Sequence, residues 1–164
     1  MKSAMQNGLI LGVIFSINFL LSTSKITTLI LLTYIIAIVI VATIYKFTIR
    51  FRDDESNGVI TYGKAFKYII YLFFYAALIS TVVKYVYFRF INTAYLETMF
   101  QETMKMMEML KVPMSNAEID QTEKMFNPLS FSLLYIWSDI IMGALVGLIM
   151  AAFVKKEKDI FSQQ

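Results

Sequence analysis

The run NPLSFSLLYIWSDIIMGALVGLIMAAFVKK, from Asn127 to Lys156, is predominantly apolar and carries a single acid, Asp139. At 1.5 Å of rise per residue, its roughly 25 apolar residues make a helix long enough to cross a hydrocarbon core of about 30 Å. Asp139, Gly143 and Gly147 stand four residues apart and share one helical stripe, which Tyr135 and Ser132 continue. A charge at mid-membrane costs about 2.5–3.5 kcal/mol on insertion scales, so Asp139 calls for a partner.

The rest of the chain has the same character. Of 164 residues, 58% are hydrophobic and 16% charged, with a mean hydropathy of +0.64. A soluble domain carries about 25% charged residues. These values predict an all-α membrane protein, one membrane domain over residues 1–164. Its spans are expected at about 5–23, 26–45, 66–90 and 129–153, with a cytoplasmic loop at 46–65 and an extracytoplasmic helical insert at 91–128. Ile26 to Tyr45 is rich in β-branched residues, yet its uncharged length favours a spanning helix over a strand. Lys2, the apolar run after it and Ser22-x-Ser24 also have the outline of a cleaved signal peptide. The thin basic start and Gly8-x-x-x-Gly12, a spacing that lets helix backbones approach closely in lipid, favour a retained first span.

Orientation follows from the cations. Lys2, then Lys46, Arg50, Arg52, Lys64 and Lys67, then Lys155, Lys156 and Lys158 fall on one side. The other side has Lys25 and the insert, where Lys105, Lys111 and Lys124 face Glu97, Glu102, Glu108, Glu118, Asp120 and Glu123, with Lys84 and Arg89 near its membrane edge. The positive-inside rule puts both termini in the cytoplasm and the insert outside. The basic loop reads first as a topology signal and second as a contact for anionic lipid. Asn57-Gly58 within it is a turn signal. In the insert, Leu96, Met99, Phe100, Thr103, Met106, Met107 and Leu110 follow a helical period. Beyond Pro113, Ser115 and Glu118 have the spacing of a capping box, with Met114 positioned to staple Ile119. The insert is therefore expected to be a helical hairpin, resting on the bundle or the lipid headgroups for want of a core of its own.

The chain has neither cysteine nor histidine, which excludes thiolate and imidazole metal sites, cysteine nucleophiles and serine–histidine chemistry. No enzyme activity and no cofactor are expected. For Asp139, the third span offers Lys84 within a stripe of matching spacing, Ala76, Ser80, Lys84. Setting Lys84 beside Asp139 places Ser80 against Gly143 and Ala76 against Gly147. In rival packings Gly8 and Gly12 face Gly143 and Gly147, or the glycine stripe joins two copies of the chain. The leading function is structural or accessory, with the lipid bilayer, a homo-oligomer or another membrane protein as partner and no nucleic acid. An alternative is a small proton- or ion-coupled transporter or channel using Asp139. A second alternative is extracytoplasmic metal binding by Met104, Met106, Met107 and Met109 with Met99, Met114 and Met125, because thioethers suit Cu(I). Methionine is also a flexible filler of apolar faces, and the four central methionines occupy two sides of a helix, which favours packing.

Four segments in order resemble a known family: GLILG (Gly8–Gly12), GVITYGKAFKY (Gly58–Tyr68), MSNAEIDQTEKMFNP (Met114–Pro128) and the last apolar span with its lysine-rich end. The chain is similar to domain of unknown function family 4199, four-span membrane proteins found mostly in Bacteroidetes. The resemblance implies a bacterial inner-membrane protein with a retained first span and no assigned activity, and it brings no catalytic residues.

Overall fold

The structure, a computed structural model, describes residues 2–24 and 26–157. Lys25 and Lys158, both used above to orient the chain, lie outside the described residues. Six α-helices follow in order: α1 (Lys2–Ser22), α2 (Thr27–Glu55), α3 (Tyr62–Val86), α4 (Tyr95–Met109), α5 (Asn116–Met125) and α6 (Pro128–Val154), with a π-helical turn at Tyr87–Ile91 after α3. Among the described residues there is no strand, only an isolated bridge between Ile60 and Lys156. Four helical stretches are long and apolar enough to cross a membrane: α1, α2, α3 with its π turn, and α6.

The expected loop at 46–65 is mostly helix, because α2 runs ten residues past Tyr45 to Glu55. Charge alone does not end a helix when it can be turned outward. Arg50 and Asp54, one turn apart, pair at 3.2 Å on the exposed side, while Ile44 and Thr48 are fully buried and Phe51 stacks on Tyr68 at 4.0 Å. The helix closes where Gly58 N–H donates back across the turn to Arg52 O at 3.0 Å, satisfying one of the carbonyls that a helix C-terminus leaves open. Asn57 and Gly58 both have positive φ, 52° and 75°, so the turn falls at the expected dipeptide.

The described residues pack into two compact units, one drawn from 2–80 with 138–157, the other from 81–137. The first holds a core of Leu11, Ile44, Ile69, Leu72, Phe73, Ala76, Met150, Ala151 and Val154, among others. Its centre is α3, which supplies more of that core than any other helix. In its most apolar window 44% of residues are buried, against 6% for α2. The second unit is organised around rings. Phe88, fully buried, lies 5.6 Å from both Tyr95 and Phe131, and Phe100, Phe126, Phe131 and Tyr135 continue the cluster at 5.3–5.7 Å. The insert was expected to lack a core of its own. With the chain just before and after it, it has an aromatic one.

Candidate functional site

Asp139, singled out as the only acid of the last span, lies in the first unit, half-buried. Ser80, fully buried on α3, shares its one Oγ hydrogen between Asp139 Oδ2 and its own helix's Ala77 O, each at 3.2 Å. In the second unit Lys84 is buried, its Nζ 4.1 Å from the centre of the Tyr135 ring. That is a cation–π contact, strengthened where water is excluded.

These contacts shift the expected register. The sequence alignment placed Gly143 against Ser80 and Gly147 against Ala76. Instead Ser80 meets Asp139, Gly143 packs under Phe73, and Gly147 lies near Phe66 and Ile69. Each pairing is displaced by about a helical turn or more. A carboxylate in an apolar helix gains more from a hydroxyl donor than two small residues gain from each other, and a glycine leaves room for a ring as readily as for a serine.

The rival packings are corrected too. A Cβ on Gly8 would fall 2.5 Å from Tyr75 Cβ, and one on Gly12 would fall 2.8 Å from Ile79 Cβ and 2.9 Å from Ala76 O. The glycines of α1 therefore face α3 rather than α6. Gly143 is covered by Phe73, where an added Cβ would fall 2.5 Å from Cγ, so its face is occupied within the chain instead of by a second copy. Ala76 is shared, fully buried against α1.

One polar group escaped the sequence reading. Asn7 Nδ2 donates to the Tyr68 hydroxyl at 2.9 Å, and Ser3 Oγ stands 3.3 Å from the same oxygen. Its only sequence signal is an asparagine at the start of an apolar run. Ser3, Gln6 and Asn7 border a recess of about 260 Å³ with Arg50, Asp54 and Glu55. In the second unit, Met107, Met114 and Met125 line a groove of about 380 Å³ with Pro113 and Gln121, while Met106 and Met109 are exposed. Met125 is itself exposed, and Met99 and Met104 are half-buried and outside the groove's lining. Among the described residues no group of three His, Cys, Asp or Glu side chains could hold a metal ion.

Ser115 caps α5 in the expected box, accepting from Glu118 N at 3.4 Å while its own backbone N–H donates to Glu118 Oε2 at 2.7 Å. Those bonds to Ser115, backbone first and hydroxyl second, hold the Glu118 carboxyl below the usual carboxylate range.

The architecture is a helical bundle with four apolar helices of spanning length and no recognisable catalytic constellation among the described residues. The chain belongs to the family described as "Protein of unknown function (DUF4199)", whose model matches residues 6–156. No curated protein and no solved structure matches it.

Proposed function

We propose that this is a non-enzymatic, multi-pass protein of the bacterial inner membrane, structural or accessory in role. Both termini lie in the cytoplasm, and α4 with α5 forms an extracytoplasmic hairpin that receives a partner, either a second copy or another membrane protein. One observation carries the reading. The second unit has an aromatic interior and a closed helix cap, yet Met106, Met109 and Leu110 at the end of α4 remain 62%, 80% and 66% exposed. Large apolar side chains left outside an available core, beside an excess of acids, suit an interaction surface. The test is purification in mild detergent of the wild type and of a Met109→Gln/Leu110→Gln variant. The reading expects a stoichiometric companion, or a second copy, that the variant loses; the same companions in both would overturn it. Reporter fusions at Asn57 and Asn116 check the orientation, which an external Asn57 would reverse.

A second reading, proton or ion transport, is favoured by the hydroxyl that Ser80 directs at Asp139. It expects Asp139→Asn to fold with unchanged thermal stability and to lose flux in liposomes. In the structural reading Asp139 pairs with Lys84, an assignment resting on helix spacing alone. Asp139→Asn and Lys84→Met should then each destabilise, with part of the loss recovered in the double variant. Metal binding is the third reading, supported by the thioethers of Met107, Met114 and Met125 along one groove. A Cu(I) titration of the whole protein that shows no uptake removes it.

A further inference from the structure

A groove of about 670 Å³ runs between α2 and α6 in the first unit, walled by Ala37, Ile38, Val41, Ala42 and Tyr45 on one side and by Met150 and Phe153 on the other. Every residue named is apolar or aromatic, and the recess exists because Ala37 and Ala42 stand where larger side chains would fill it. From Ala37 to Tyr45 the helix rises about 12 Å, within the roughly 15 Å depth of one leaflet's hydrocarbon.

One end of the groove is basic. Lys46 lies one turn beyond Ala42 on the stripe of Ile38 and Ala42, and Lys155 follows the end of α6 directly. That end is fixed, since Lys156 and Ile60 exchange two backbone hydrogen bonds of 2.9 Å. The nearby arginines are already engaged: Arg50 pairs with Asp54, and Arg52 with Asp53 at 2.8 Å. Lys46 and Lys155 have no carboxylate in salt-bridge contact among the described residues; Glu157, two residues on, is the next acid of the chain.

We propose that this groove binds an anionic phospholipid, with one acyl chain along Ala37–Tyr45 and the phosphate at Lys46 and Lys155. The apolar length suits the chain, and the two cations suit the headgroup. A second copy docked symmetrically here would bring like charges together. The inference rests on the reading of the chain as membrane-spanning.

The test is native mass spectrometry of the protein in mild detergent, titrated with phosphatidylglycerol and with phosphatidylcholine of equal chain length. The wild type should retain phosphatidylglycerol preferentially. Lys46→Gln/Lys155→Gln should weaken phosphatidylglycerol retention roughly thirtyfold, at the contribution usual for two surface cations, and leave phosphatidylcholine unchanged. Ala42→Phe fills the groove at an exposed position, so it should weaken both lipids without unfolding the protein. An unchanged lipid ratio in the lysine variant overturns the site, as does full retention of both lipids by Ala42→Phe. A dimer that Ala42→Phe dissolves while lipid retention persists assigns the groove to self-association instead. Release of the protein from membranes by alkaline carbonate would fail the membrane reading itself; retention without a lipid preference fails only the lipid site.

Discussion

Between α1 and α3 the contact is made where side chains are missing, whereas in the unit of residues 81–137 it is made of rings. At Gly8 and Gly12 the backbone of α1 comes so near α3 that even a methyl group would collide with Tyr75, Ile79 and the Ala76 carbonyl. Around Phe88 the helices are held by side chains that each bury about 150–250 Å², ring against ring at 5.6–5.7 Å. The two solutions suit two solvents. In lipid, burying apolar surface gains little because the tails are as apolar as leucine, so helices associate through close van der Waals contact. Where the alternative is water, large rings contribute through transfer as well as contact. Of these rings Phe100 and Phe126 belong to the insert, while Phe88, Phe131 and Tyr135 belong to the ends of the apolar stretches that lead into and out of it.

Opposite substitutions should break the two regions. Phe88→Ala removes the ring that touches Tyr87, Tyr95 and Phe131, and it should cost about 3–5 kcal/mol, the largest single effect expected. Thermal unfolding in detergent would measure the loss. Near-UV circular dichroism should fall with it, because the tyrosines of the cluster lose their fixed surroundings. A Phe88→Ala protein with unchanged near-UV signal would show that the aromatic cluster does not order this unit.

Gly12→Ala makes the reverse change, adding one methyl where Ala76 O and Ile79 Cβ leave no room. Overpacking of this kind costs about 1–3 kcal/mol. Gly147→Ala is the internal control: its added methyl meets one edge of the Phe66 ring at 3.1–3.2 Å, which can turn aside, and Ile69 Cγ2 at an ordinary 3.5 Å, so a change within about 0.5 kcal/mol is expected. Equal losses at Gly12 and Gly147 would mean that glycine serves helix flexibility here, not close approach.

The sequence pattern carried the coarse plan and missed the arrangement. Four apolar runs, the Asn57-Gly58 turn and the Ser115–Glu118 cap were legible because each depends on a local feature: length, backbone freedom, or a three-residue spacing. The central helix was not. The acid and glycines of α6 drew attention to that helix, but the density of buried residues on α3 follows from having neighbours on several sides, which no single helix's pattern reveals. The register failed for a related reason. Small residues recur every four positions on both helices, so a slip of one turn leaves the pattern looking equally good; the Ser80–Asp139 hydrogen bond and the Phe73 ring over Gly143 show where the small residues sit. The extension of α2 is hidden by its charges, which have the composition of a loop although Phe47, Thr48 and Phe51 continue the inward-facing stripe. The π turn at Tyr87–Ile91 left no signal.

Apart from the Gly147 control, the smallest expected effect lies in the exposed cap of α5, and its sign can be fixed. Glu118 in the folded cap titrates below its unfolded value because Ser115 donates to its carboxylate through backbone N–H and hydroxyl. A depressed carboxylate contributes stability that is fully present above the unfolded pKa and is lost as the pH falls through the folded one. Protection of the first α5 amides should therefore be constant at neutral pH and decline in acid, below the ordinary carboxylate range. Amide exchange at Glu118 and Ile119, corrected for intrinsic rate, would follow it. Ser115→Ala removes the hydroxyl acceptor of the Glu118 amide and should cost about 1 kcal/mol near neutrality; it should also move the acid loss of protection to higher pH. Because α5 has no buried residue, this loosening should leave the Phe88 cluster intact. An acid transition at the same pH in wild type and Ser115→Ala would show that Glu118 is not held by its cap.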